Sequence, residues 1–224
     1  MEMNPIAGYI DHTLLKPDAT SEAIRKLCEE ALEHRFYGVC VNSQWVSYCK
    51  EILGDSGVKI SAVVGFPLGA NHSGVKAFEA QLAIANGADE IDMVLPIGLV
   101  LEGNYDEVER DIRHVVEGTF RKNVIKVILE TGFLNDEQKI EACRAAERAG
   151  AHFVKTSTGF GPGKATIEDV RLMRDTVSEE MSVKASGGIK DLETALRMIE
   201  AGASRLGTSS GVAIVSGVKG IGEY

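Results

Sequence analysis

The chain alternates short apolar runs with amphipathic stretches from one end to the other. Residues 38–41 (Gly-Val-Cys-Val), 59–64 (Lys-Ile-Ser-Ala-Val-Val), 90–95 (Glu-Ile-Asp-Met-Val-Leu) and 125–130 (Ile-Lys-Val-Ile-Leu-Glu) read as strands, as do 153–156, 183–186 and 205–208. Most of these runs are continuous rather than strictly alternating, as expected of parallel strands covered by helices. The intervening segments carry helix-boundary signals. Ser43 is predicted to cap a helix over 44–53 that Gly54 ends, and Asn135 with Gln138 forms a capping-box pattern for a helix ending near Gly150. Thr166 and Asp191 open two more. A short strand at 9–11 brings the count to eight β/α units; without it the count is seven. The pattern favours an α/β fold, a closed (β/α)8 TIM barrel rather than a doubly wound sheet. No Pro/Gly/Ser-rich linker or low-complexity segment divides the chain, so residues 1–224 are expected to form a single domain.

A small repeat marks three helix-to-strand junctions: Asn86-Gly87-Ala88, Ala149-Gly150-Ala151 and Ala201-Gly202-Ala203. Each glycine suits the left-handed conformation that ends a helix. Five residues further on stand Asp92, Lys155 and Gly207, an equal offset that places them at similar heights near the C-terminal ends of their strands. That end of an α/β barrel carries the active site.

Charge inside the apolar runs changes the picture most. Asp92, Lys126, Lys155 and Lys184 each interrupt a different apolar run, and burying an unpaired ion costs several kcal/mol. One such lysine is explained by a strand end reaching water; four charges on four strands of one barrel point to a shared site. Lysine is mostly ammonium near neutral pH and becomes nucleophilic only when desolvation or a neighbouring ammonium favours the free amine. Several lysines with one carboxylate therefore describe an activated amine with a proton acceptor beside it.

Glycine-rich segments follow the last two strands, Ser186-Gly187-Gly188-Ile189 and Gly207-Thr208-Ser209-Ser210-Gly211, and a third, Thr156-Ser157-Thr158-Gly159, follows Lys155. Small residues let backbone N–H groups approach an anion, and barrels often bind phosphate after their seventh and eighth strands. The net charge of −9 argues against a nucleic-acid or anionic-membrane surface but leaves room for a locally basic site. No apolar run approaches the roughly 18–20 residues that span a bilayer. The first eleven residues lack the basic and hydrophobic regions of a secretory signal, and the four cysteines form no CxxC pair, so a cytoplasmic, reduced protein is expected. The five histidines show no HxH or HExxH spacing, and neither a metal nor a cofactor is expected.

These segments resemble the deoxyribose-phosphate aldolase family. The likeness runs in order through Ile10-Asp11-His12-Thr13-Leu14, Gly-Val-Cys-Val (38–41), Val-Gly-Phe-Pro-Leu-Gly (64–69) and Gly-Ala-Asp-Glu-Ile-Asp-Met-Val (87–94). It continues through Lys-Val-Ile-Leu-Glu-Thr (126–131), Phe-Val-Lys-Thr-Ser-Thr-Gly (153–159) and Val-Lys-Ala-Ser-Gly-Gly (183–188). The resemblance implies a class I aldolase acting on 2-deoxy-D-ribose 5-phosphate in deoxyribonucleoside catabolism. Lys155 is then the imine-forming amine, Lys184 keeps its pKa down, Asp92 moves protons, and Lys126 orients Asp92. Gly159, Gly187, Gly188, Gly207, Ser209 and Ser210 match phosphate-binding positions, and Asp11, Thr13 and Cys40 match residues lining the site. Tyr224 matches a terminal tyrosine that assists proton transfer in some members, while the glycines before it equally suit a frayed end. Where some members have a phosphate-contacting lysine, this chain has Phe160; either Lys164 substitutes or backbone and serines hold the phosphate alone. The expected partner is the small phosphosugar, with self-association into a dimer or tetramer. A transaldolase-like enzyme, a sugar-phosphate isomerase and a non-catalytic phosphosugar-binding protein are the competing readings.

Overall fold

A computed structural model describes residues 5–119 and 123–220. Eight parallel strands close into a barrel in sequence order: β1 (Ile10–Leu14), β2 (Gly38–Asn42), β3 (Lys59–Val64), β4 (Glu90–Val94), β5 (Val124–Ile128), β6 (Phe153–Lys155), β7 (Ser182–Ser186) and β8 (Arg205–Thr208). The β8 strand pairs back to β1, with Asp11 opposite Gly207, so no edge strand is left. Outside lie α1 (Ser21–His34), α2 (Val46–Leu53), α3 (Ser73–Ala85), α4 (Ile97–Leu101), α5 (Tyr105–Gly118), α6 (Asp136–Arg148), α7 (Ile167–Thr176), α8 (Leu192–Glu200) and α9 (Gly211–Val215). Outward-facing strand residues such as Val39, Ile60, Ile91, Ile125, Val154 and Leu206 are fully or almost fully buried against these helices. This outer shell is the apolar core, and it explains why the strands read as continuous hydrophobic runs.

The helix ends follow local chemistry closely. Asn135 and Gln138 form both halves of the capping box of α6, and Thr166 and Asp191 accept from the third residue of α7 and α8. Gly87, Gly150 and Gly202 take φ of +109°, +87° and +113°, the conformation the junction repeat calls for. Ser43 departs from expectation. Its hydroxyl donates to Glu79 Oε1 at 3.2 Å, leaving a 3-10 turn over Ser43–Trp45, and α2 begins only at Val46 without a side-chain cap. The expected strand ending at residue 130 also stops short, at Ile128. Glu130 takes a left-handed conformation (φ 55°, ψ 60°) that turns the chain away from the barrel.

Replacing Asn135 by Ala removes one half of the capping box. The expected loss is about 1 kcal/mol, read as a lower denaturant midpoint at unchanged m-value, whereas Ser43→Ala removes no cap.

Candidate active site

Along a strand, side chains alternate between barrel interior and helix shell, so residues two apart share the interior. Alternate strands also contribute to alternate interior layers. Together these rules bring Asp11, Ser61, Lys126 and Lys184 from odd strands into one layer, and Cys40, Asp92, Lys155 and Gly207 from even strands into the layer above. Glu90, Phe153 and Arg205 form the floor. Branched aliphatic side chains commonly fill such layers. Here the interior is largely ionic, and every charged member is at least 94% buried.

The contacts form a closed circuit. Asp92 Oδ1 accepts from Lys126 Nζ at 2.6 Å, and Lys126 also meets Glu90 Oε2 at 2.6 Å. Glu90 Oε2 pairs with Arg205 Nη1 at 3.1 Å, and the same nitrogen reaches Asp11 Oδ1 at 3.0 Å. Asp11 Oδ2 pairs with Lys184, whose ammonium returns to Asp92 Oδ2 at 2.8 Å. Three carboxylates thus alternate with three cations around a ring. Lys155 stands outside it as a seventh member, its Nζ donating to Asp92 Oδ2 at 2.9 Å. Secondary contacts complete the ring's hydrogen bonding: Ser61 Oγ links Lys126 to Glu90, and Tyr37 donates to Glu90 Oε1 at 3.1 Å.

The ring sets its members' protonation. Burial alone pushes Asp92 up, but Lys126, Lys155 and Lys184 outweigh it and hold the carboxyl well below the ordinary range. Asp11 is likewise lowered, because Lys184, Lys126 and Arg205 together overcome its burial. Burial pulls Lys184 and Lys126 down, yet Asp11 and Asp92 raise Lys184 well above its usual value and Asp92 raises Lys126. Both lysines therefore stay ammonium. The Cys40 thiol, 3.9 Å from Asp92, is pushed up by burial and by that carboxylate, so it remains a neutral wall of the site. It packs with Leu15 and Val63, and Phe66 covers them, giving the mouth one apolar side.

Residues expected at a phosphate site divide between two cavities. Gly159, Gly187 and Gly188 line one of about 550 Å³ together with Gly161, Gly163, Lys164 and Lys190. Lys164 lies so close along Gly188 that a Cβ there would come within 2.7 Å of its Cδ. Ser209 and Ser210 instead line an adjoining cavity of about 350 Å³ with His12, Glu30 and Lys219, and Gly207 is a buried β8 residue opposite Asp11. Thr13 is buried in β1, its hydroxyl donating to Asp11 O at 2.8 Å. Phe160 turns its ring edge to Phe66, centroids 5.5 Å apart. Tyr224 lies outside the described residues. A roomier cavity of about 710 Å³, beyond the barrel wall and lined by Asn71, His72, Glu107 and Arg110 among others, contains no member of the ring.

Three residues of consequence were not singled out in the sequence. Glu90 and Arg205 close the ring, and each stands two positions before a candidate, Asp92 or Gly207, so alternation alone was the available signal. Glu130 is the third. Its carboxyl, pushed up by burial, receives Thr158 N at 3.2 Å and the Thr158 hydroxyl, which in turn accepts from Phe160 N at 3.0 Å and Gly161 N at 3.3 Å. This clasp fixes the loop after Lys155. A left-handed non-glycine residue costs roughly 1–3 kcal/mol, which the clasp helps to offset.

The sequence profile described as DeoC/LacD family aldolase matches residues 6–217. The chain belongs to this family. Within it, deoxyribose-phosphate aldolase 1 of Oceanobacillus iheyensis is 55% identical over 219 residues, covering 98% of this chain and 99% of that protein. The deoxyribose-phosphate aldolase of Thermococcus gammatolerans is 58% identical over 217 residues, 96% of each chain. Among solved structures, the tetrameric deoxyribose phosphate aldolase of Aeropyrum pernix superposes with a TM-score of 0.88 at 34% identity, over 94% of this chain and 89% of that one.

The charge count inside this aldolase can be tested without any substrate. Lys184→Met leaves Asp11 and Asp92 each short of a buried partner and is expected to cost about 3–5 kcal/mol in chemical unfolding. Lys155→Met leaves the ring intact, with Lys126 and Lys184 still on Asp92, and should cost less than Lys184→Met in the same experiment. Because Asp11 and Asp92 are depressed in the folded state, their ion pairs stabilise the fold above about pH 4. That stabilisation is lost as pH falls through their lowered values.

Proposed function

We propose that this protein is a class I aldolase that reversibly cleaves 2-deoxy-D-ribose 5-phosphate to D-glyceraldehyde 3-phosphate and acetaldehyde, in the breakdown of deoxyribonucleosides, with Lys155 as the Schiff-base nucleophile. The observation that carries the reading is the position of Lys155. It is the one lysine of the barrel interior outside the neutral ring, at the C-terminal end of β6, with a glycine-lined cavity beyond it. The names of the curated relatives support the substrate.

The chemistry follows from the geometry. An amine attacks a carbonyl only when unprotonated, and the three ring carboxylates are already matched by Lys126, Lys184 and Arg205. Lys184, kept as an ammonium, shares Asp92 Oδ2 with Lys155, so that carboxylate oxygen already has a cation of its own. Lys155 adds to the C1 aldehyde, and Asp92 relays protons as the carbinolamine loses water. The resulting iminium is the electron sink. Deprotonation of the C3 hydroxyl then breaks the C2–C3 bond, releasing D-glyceraldehyde 3-phosphate and leaving an enamine on Lys155. Protonation at C2 and hydrolysis free acetaldehyde and regenerate the amine. The iminium supplies the polarisation, so the step requires no metal ion.

Lys126 holds Asp92 in place through Oδ1, leaving Oδ2 facing Lys155 and Lys184. Asp11 anchors Lys184, Thr13 sits above Asp11, and Cys40 contributes to the apolar wall beside the two-carbon fragment. Gly159, Gly187 and Gly188 let the phosphate approach the backbone, while Lys164 and Lys190 add positive charge in place of the lysine that Phe160 replaces. Gly207, Ser209 and Ser210 are assigned phosphate-binding roles from the β8 side, Ser209 and Ser210 from the second cavity, and Tyr224 is assigned the proton-transfer role of a terminal tyrosine. We place the enzyme in the cytoplasm, a setting that suits four free, buried cysteines. We assign it a dimeric or tetrameric state. The A. pernix tetramer and the exposed Val75, Phe78 and Leu82 along one face of α3 support self-association.

Borohydride added in the presence of acetaldehyde should fix an ethyl group on Lys155, located by peptide mass mapping. A label anywhere else would overturn the assignment. Lys155→Ala should lower kcat by on the order of 10³-fold or more, and a chelator should leave the rate unchanged. Cleavage of ribose 5-phosphate should be much slower than that of the deoxy sugar. Glu130→Ala should release the Thr158 clasp and raise KM for the phosphorylated substrate about tenfold, or ~1.4 kcal/mol, with a smaller effect on unphosphorylated 2-deoxyribose.

A further inference from the structure

We propose that Glu90 and Arg205, at the floor of the barrel, are positioning residues that set the charge on the Lys155 amine by closing the neutral ring. The inference rests on the reading of Lys155 as the nucleophile.

Neither residue can serve the substrate directly. The Arg205 guanidinium is 6% exposed, lies over the Tyr37 ring with its central carbon 3.2 Å from the centroid, and has the Phe153 ring 5.5 Å away. Glu90 is 2% exposed, and its two oxygens are engaged by Tyr37, Ser61, Lys126 and Arg205. Stability alone gives no strong reason for such a pair, since apolar residues of similar volume commonly replace buried ion pairs without loss. The position in the circuit gives one. Glu90 is the carboxylate that Lys126 uses besides Asp92, and Arg205 is the cation that Asp11 uses besides Lys184.

The charged and titratable groups that act directly on Lys155 are Asp92 from β4, Cys40 from β2 and Glu130 just beyond β5; Lys126 from β5 and Lys184 from β7 share Asp92 with it, and Asp11 from β1 is joined through Lys184. Removing the charge of Arg205 leaves the ring one negative charge in excess, and Lys155 then neutralises it by keeping a proton. Removing the charge of Glu90 leaves one positive charge in excess, and a proton on Lys155 becomes harder to hold. The two changes act on the amine with opposite signs, although the two residues touch each other and neither touches Lys155. A purely architectural role has no such sign.

The test is the pH profile of kcat/KM for 2-deoxy-D-ribose 5-phosphate, with melting temperature recorded for each variant. Arg205→Met is expected to move the acid limb upward by on the order of one pH unit, and Glu90→Gln to move it downward by a similar amount. The Glu90→Gln/Arg205→Met double variant, neutral again, should return the limb towards that of the unaltered enzyme. Arg205→Lys, which keeps the charge, should leave it in place. Limbs that stay fixed, or that move in the same direction in both single variants, overturn the proposal. If Arg205→Met does not fold, the Glu90→Gln shift and its reversal in the double variant decide the matter, and an unmoved limb in Glu90→Gln is sufficient to reject it. Borohydride trapping on the unaltered enzyme separates the two levels. Absence of label at Lys155 removes the nucleophile assignment itself, whereas labelled Lys155 with unmoved limbs removes only the role of the floor pair.

Discussion

Charge neutrality in a buried interior is the condition on which this barrel depends. Seven ionisable side chains occupy an interior that aliphatic side chains more often fill, and isolated ions there would cost several kcal/mol each. The alternating ring of Asp92, Lys126, Glu90, Arg205, Asp11 and Lys184 meets the condition, with contributions from five strands. Its closure makes the strand register a chemical requirement as well as a backbone one. A slip of one residue in any of these strands would carry its charge from the ring into the helix shell.

The same arrangement separates tasks by depth. The floor is clamped by aromatic rings against a guanidinium, the middle holds lysines that stay protonated, and the upper layer presents Lys155 beside a carboxylate. Above that, loop architecture takes over. The Glu130–Thr158 clasp holds the segment after β6, while Gly187 and Gly188, with φ of +96° and +78°, turn the segment after β7 towards the same cavity. Rigid strands fix the reacting groups, and loops held by side-chain hydrogen bonds shape what reaches them.

Much of this was legible in the sequence because strands and charges obey short-range rules. Asp92, Lys126, Lys155 and Lys184 stood out as charges inside apolar runs, and the Gly87, Gly150 and Gly202 junctions marked where strands would begin. Glu90 and Arg205 escaped notice for a physical reason. At the first position of a strand a charge looks like a boundary residue, and only the closed barrel shows it pointing inward to a partner on a distant strand. Ser43 illustrates the opposite error, a sound local capping signal overridden by a tertiary partner, Glu79, 36 positions away. The phosphate candidates were legible as a set. Their division between two neighbouring cavities depends on loop paths that composition does not encode.

The floor has a consequence for proton traffic. Arg205, packed against Tyr37 and near Phe153, covers the N-terminal end of the interior, while Lys155 stands at the opposite end, towards the mouth. In the proposed reaction the sugar enters by that mouth, so a bound substrate would close the route by which protons reach the Lys155–Asp92 pair from bulk water. Protons released in one half of that cycle would then supply the other half, and exchange with solvent would wait for product to leave.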